Sequence, residues 1–192
     1  MLRSLTALFA AILFALAPIG EADAQTTELR IANGRATFTS DAPLETINGT
    51  TSGVSGSVSL DLSNPGAASG TVRVPVSALR TGIDLRDEHL RSANWLDAAN
   101  HPNIELQISS LDGASDFTSG ERVSFHIVGQ LSIKGTTRNV RIRAQGQYRE
   151  GALLVRARWR IQLSDYGVSI PATVQAKVNN EIVISVNIRA AG

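Results

Sequence analysis

The densest grouping of chemically able side chains in the sequence is Arg86-Asp87-Glu88-His89, followed by Leu90 and then Trp95. Imidazole and carboxylates together are the usual materials of general acid–base catalysis and of metal ligation. Successive residues on one short helix cannot all converge on one point, and His101 and His126 supply no second ligand at a metal-binding spacing. The grouping is therefore read as structural, a lid segment, with Arg86, Asp87, His89, Leu90 and Trp95 as candidate contacts at the mouth of a binding site. Nothing elsewhere restores an enzyme reading. The sequence has no Ser-His-Asp order with a nucleophile elbow, no Gly-rich phosphate loop and no cysteine. No catalytic residue, metal or cofactor is expected.

The second grouping is basic. Arg141 and Arg143 share one face of an alternating stretch, and Arg156, Arg158 and Arg160 share one face of the next. A tight turn centred on Glu150-Gly151 sets Arg143 opposite Arg158 and Arg141 opposite Arg160, and like charges across a strand pair are unfavourable by some tenths of a kcal/mol. Such a stripe suits transient contact with an anionic lipid surface or a pyrophosphate head group. The alternative is a solvated outer face balanced by acids on neighbouring strands. The formal net charge of +1 gives no field that calls for nucleic acid.

The elements that carry these residues are strands, because the dominant pattern is period-2 alternation. It runs through Val54–Leu62, Val72–Val76, Ile104–Ile108, Val123–Ile133 and Ile182–Ile188, with apolar residues on one face and polar ones on the other. Val140–Tyr148 and Leu153–Leu163 read as a hairpin about Glu150-Gly151. Shorter strands are expected over Leu29–Ala32, Ala36–Ser40 and Leu44–Asn48. The segment from Thr81 interrupts the pattern. Asp84 is expected to cap a short helix, Leu85, Leu90 and Trp95 to anchor it, and a second helical turn to follow through Trp95–Ala99.

Many antiparallel strands with one apolar face each form either a two-sheet sandwich or a closed barrel, and alternation does not separate the two. The apolar positions Val74, Phe125, Ile127, Leu131, Val155, Trp159, Ile161, Ile184 and Val186 line either a ligand tunnel or an ordinary core. Few bulky aromatics are available to fill it, while Val, Ile, Leu and Ala could do so unaided.

The N-terminus reads as an export signal. A basic start at Arg3, an apolar run from Leu5 to Leu16, a break at Pro18 and Gly20, and Ala22-Asp23-Ala24 follow the order that a signal peptidase recognises. The run is about 12 residues where a membrane span needs roughly 20. Residues 1–24 are therefore expected to be removed before Gln25, leaving 25–192 as one domain held by packing without disulfides.

Against that background the lid segment, Thr81-Gly82-Ile83-Asp84-Leu85-Arg86-Asp87-Glu88-His89-Leu90-Arg91-Ser92 with Trp95-Leu96-Asp97 and His101-Pro102 behind it, resembles the signature of the YceI-like family of bacterial proteins. Gly129-Gln130-Leu131-Ser132-Ile133-Lys134-Gly135, Leu163-Ser164-Asp165-Tyr166-Gly167 and Asn179-Asn180-Glu181-Ile182 are similar to its later segments. The likeness covers roughly Val72 to Ala190, and the region before Val54 lacks the family's usual Trp and His. The resemblance implies an all-β fold, a single antiparallel lipocalin-like β-barrel of about eight strands with a short helical lid. It implies a periplasmic, non-enzymatic protein that binds, stores or transports a long apolar or amphiphilic ligand: a polyisoprenoid, an isoprenoid quinone or a fatty-acid derivative. Any isoprenoid or quinone would be ligand, not cofactor. A homodimer is carried as one candidate assembly. The alternative is a structural or interaction module with a filled core, partnering a membrane redox or envelope-stress system.

Overall fold

The computed structural model describes residues 26–192, so the export signal expected at 1–24 lies outside the described residues. The strands are β1 (Thr26–Asp41), β2 (Thr46–Thr51), β3 (Ser55–Asp61), β4 (Ser69–Pro75), β5 (Asn103–Asp112), β6 (Val123–Ile133), β7 (Thr136–Arg149), β8 (Ala152–Gln162) and β9 (Glu181–Ala191). They form one antiparallel sheet in the order β2-β1-β3-β4-β5-β6-β7-β8-β9. β1 also pairs with β9 over Arg30–Ser40, and this pairing closes the sheet. The result is an eight-strand barrel with β2 as one extra strand. That closure, invisible in the alternation, decides for a barrel against a sandwich.

The extra strand continues the line of β3. Going from Thr26 to Ala36 on β1 moves the partner from Asp61 on β3 back to Thr51 on β2, so both pairings share one register. The expected strands at Leu29–Ala32 and Ala36–Ser40 are thus one long strand, kinked by a register shift between Ile31 and Asn33. Two hairpins turn through left-handed residue pairs, Lys134-Gly135 (φ 49° and 74°) and Glu150-Gly151 (φ 51° and 71°). These are the dihedrals that a two-residue type I′ turn requires.

The Glu150-Gly151 turn sets the expected register, but the β7–β8 ladder runs only from Arg149/Ala152 to Ala144/Ala157. The strands part before Arg143 reaches Arg158, so the expected arginine pairs do not form as ladder neighbours. Arg141 instead bonds Asp112 on β5, and Arg160 meets Glu181 on β9 at 3.0 Å. Arg143, Arg156 and Arg158 are exposed on the outer face.

The barrel has two unlike ends. At one, the β3–β4 and β5–β6 connections fold inward, and the backbone N–H of Phe117 donates to the Leu62 carbonyl at 2.8 Å. Phe117 is fully buried and meets Phe125 edge-on, with centroids 5.7 Å apart and planes at 84°. With Leu29, Leu60, Leu111 and Ile142 it fills this base. At the other end the long β4–β5 connection carries the one α-helix among the described residues, α1 (Asp84–Arg91). A smaller cluster of Val76, Leu79, Leu96, Leu131, Ile133, Tyr166 and Val168 packs beneath it.

Three expectations about the lid are corrected. Asp84 is the first residue of α1, whose N-cap is Ile83 and carries no side-chain cap bond. Leu90 and Trp95 pack on the upper cluster, but Leu85 is 61% exposed and stands outside it, at the edge of the cavity. Residues 92–100 form hydrogen-bonded turns in place of a second helix, including Trp95 N–H to Ser92 O and Ala98 N–H to Arg91 O.

Candidate functional site: an apolar lumen beneath a latched lid

Between the plugged base and the lid the barrel encloses a cavity of about 570 Å³. This lies within the range of sites that enclose a small molecule, about 300–1,000 Å³. Its wall follows from strand parity. β9 contributes Ile182, Ile184, Val186, Ile188 and Ala190, β8 contributes Val155, Ala157, Trp159 and Ile161, and Leu163 follows just beyond the end of β8. On β5 the wall passes from Ile104, Leu106 and Ile108 to Leu111, changing parity at the bulge between Ile108 and Ser110. Opposite that bulge stands Gly129, where a Cβ would lie 2.0 Å from the Gln107 carbonyl oxygen, so only glycine lets the two strands approach.

Val74, Phe125, Ile127, Leu131, Val155, Trp159, Ile161, Ile184 and Val186 all lie on this wall. The wall also holds Phe38, Leu79, Ile142 and Ile182, which the sequence reading left out. The parity that placed Ile184 and Val186 would have placed Ile182 and Ile142 as well. Phe38 falls inside the expected strand Ala36–Ser40 and shares its parity with Ala36 and Ser40, which also reach the wall. Every second residue from Ile182 to Ala190 faces the lumen, which gives it roughly 26 Å of strand at about 3.3 Å per residue.

The lid is fixed by a polar latch. Asp87 is 3% exposed and accepts the backbone N–H of Thr81 at 2.7 Å and the Thr81 hydroxyl at 2.6 Å. Burial opposes the charge of Asp87, but the Thr81 bonds together with the charges of Arg80 and Arg91 outweigh it and hold the carboxyl below its ordinary pKa. Arg86 reaches Glu45 in the β1–β2 turn at 2.5 Å and donates to the Thr81 hydroxyl at 3.0 Å. Arg86, His89, Leu90 and Trp95 border the cavity, with Glu45 and Lys177 beside them. Asp87 is absent from the cavity wall and serves only the latch. The partnership of Arg86 with Glu45 spans 41 residues, and no local signal announces it.

Inside, the chemistry is sparse. Trp159 Nε1 is the one buried side-chain nitrogen or oxygen among the described residues that lacks a hydrogen-bond partner. Both tryptophans of the chain, Trp95 and Trp159, lie on the cavity wall. No three His, Asp or Glu side chains among the described residues are placed to share a metal ion. The site can exclude water from an apolar chain and hold a polar end near Arg86, His89 and Lys177.

Comparison with known proteins agrees with this geometry. A family model described as a YceI-like domain matches residues 22–190, extending well before the Val72 at which the sequence likeness began. A UPF0312 protein of Azotobacter vinelandii is 29% identical over 122 residues, 59% of each chain. The match thus spans about three-fifths of that relative's length. Among solved structures, BcnA of Burkholderia cenocepacia superposes with a TM-score of 0.72 at 17% identity, over 82% of this chain and 96% of BcnA. A domain from Saccharophagus degradans, described as polyisoprenoid-binding and implicated in plant cell wall breakdown, gives 0.69 at 12% identity, over 85% and 98%. At those identities the structural likeness speaks for the fold.

Proposed function

The chain belongs to the YceI-like domain family, and from that premise we propose that it is a non-enzymatic container for one long apolar or amphiphilic molecule, which it stores or carries in the periplasm. The observation that carries this reading is the lidded lumen of about 570 Å³, walled almost wholly by aliphatic and aromatic side chains. Burying an apolar chain there gains about 0.8 kcal/mol per methylene. Affinity then follows chain length more than chemical detail. An isoprenoid is the first candidate, supported by the likeness to the Saccharophagus domain. An isoprenoid quinone or a fatty-acid derivative would use the same wall, with its polar end beside Arg86, His89 and Lys177. Periplasmic residence rests on the export signal read in residues 1–24.

Transfer to or from a bilayer would use the mouth. Leu44 is 73% exposed, Ile83 52% and Leu85 61%, and all three stand at the lid end. Exposed apolar groups around a lipid-sized opening suit brief insertion at a membrane surface. Arg141 and Arg160, already paired with acids, suit it less.

Because both tryptophans line the lumen, intrinsic fluorescence reports occupancy directly. Titration with a short-tailed ubiquinone analogue should quench the emission saturably at one molecule per chain. Emission that falls only in proportion to added quinone, as for free tryptophan, would remove the lumen as a quinone site.

A further inference from the structure

The outer wall carries a second concavity, separate from the lumen, of about 660 Å³. Its floor is built by register from two cross-strand rows. One row runs Gln145, Arg156, Asn187, Arg35 across β7, β8, β9 and β1. The next runs Gln147, Leu154, Arg189, Asn33 across the same strands. Arg122 joins at the rim, where the Gln147 side-chain amide donates to the Gly120 carbonyl at 2.8 Å and holds the β5–β6 connection in place. Arginines and carboxamides alternate over this surface, and the lining holds neither Asp nor Glu.

The arginines here are uncompensated. The ion pairs among the described residues engage Arg30, Arg73, Arg86, Arg141 and Arg160, but not Arg35, Arg122, Arg156 or Arg189. Strands lie about 4.8 Å apart, so Arg35 and Arg156, two strands from each other, stand roughly 10 Å apart, with Arg189 between them on the neighbouring row. Guanidinium groups so arranged repel one another unless an anion sits among them. They present forked donors that match phosphate oxygens in pairs.

We propose that this groove is an anion-binding site for a soluble molecule bearing a diphosphate-type group. A second copy of the chain laid on the same face would bring arginine against arginine. A flat bilayer would not follow a concave floor, and the groove lies toward the plugged base, away from the lid. The groove and lumen lie on opposite faces of one sheet layer and border Val155 and Ile188 of that layer in common, with Val54 from the β2–β3 link. The proposal therefore stands without the lumen reading, and its test does not depend on lipid content.

The test is calorimetric titration of the full chain with inorganic diphosphate at low ionic strength. Saturable one-to-one binding is expected, weakened at least tenfold in Arg189→Glu and several-fold in the milder Arg156→Gln. Arg141→Glu, outside the groove, should bind as wild type does, and circular dichroism checks that each variant folds. Absence of saturable binding to the folded wild type overturns the proposal, as does equal binding by wild type and both groove variants. Binding to phosphatidylglycerol vesicles without binding to free diphosphate overturns it too, because the surface would then serve a membrane.

Discussion

Two single side chains separate what the lumen needs from what the lid needs. Trp159 contributes a large apolar surface to the wall but leaves its indole N–H without an acceptor. An orphaned buried donor adds nothing to stability and carries a desolvation penalty of about 1–3 kcal/mol. Trp159→Phe is therefore expected to leave the thermal midpoint of the empty protein unchanged or raised, a result that calorimetry reads directly. Asp87 behaves oppositely, since its carboxylate accepts two bonds from Thr81 in a buried setting. Asp87→Ala should lower stability by about 1–3 kcal/mol, as expected for stranding buried donors. Its pKa is depressed in the folded state, so its charge stabilises fully above the unfolded value of about 3.9 and stops doing so as pH falls through the lower folded value. Comparing wild type with Asp87→Asn from pH 6 to pH 2.5 should show an acid-side loss in wild type that the variant lacks in part. Parallel acid curves would rule the latch out as a charged contact.

At the scale of elements, the base and the mouth of the barrel have different duties. The base is sealed by the β5–β6 connection through Phe117, so Phe117→Ala is expected to cost about 3–5 kcal/mol in chemical denaturation, the range for a buried aromatic. A cost under 1 kcal/mol would mean that the plug is not part of the cooperative unit. Alternation in β6, β8 and β9 already told which residues face inward, because period 2 survives wherever a strand is regular. It failed at β1, where a bulge after Ile31 broke the phase and two strands were read in place of one. It also could not show that β7 and β8 part beyond Ala144 and Ala157, since a turn fixes register but not how far the ladder runs. The helix at Asp84–Arg91 was legible from its residue types. Its fastening was not, because Glu45 reaches Arg86 from a distant turn.

At the scale of the molecule, the closed sheet settles which of two readings of the same apolar positions applies to each part. Phe117, Leu29 and Leu60 fill the base, and an apolar cavity lies between that base and the lid. Sequence alone left both a hollow barrel and a filled one open, because both use the same inward residues. The difference is one of volume, set by how eight strands close and by which ends are stoppered. Ala157, small and on the wall at mid-depth, makes that difference testable. In a packed core Ala157→Phe would cost about 1–3 kcal/mol through overpacking. In an open lumen the ring enters free space, stability is kept, and the volume left for a guest shrinks. The most direct measurement is native mass spectrometry of the protein recovered from the bacterial envelope, wild type beside Ala157→Phe. The account predicts a single lipid-sized mass bound to wild type at one per chain, and its loss or replacement by a shorter species in the variant. A wild-type protein that is bare on recovery, and takes up no isoprenoid or fatty-acid derivative when mixed with detergent-dispersed lipid, would contradict it.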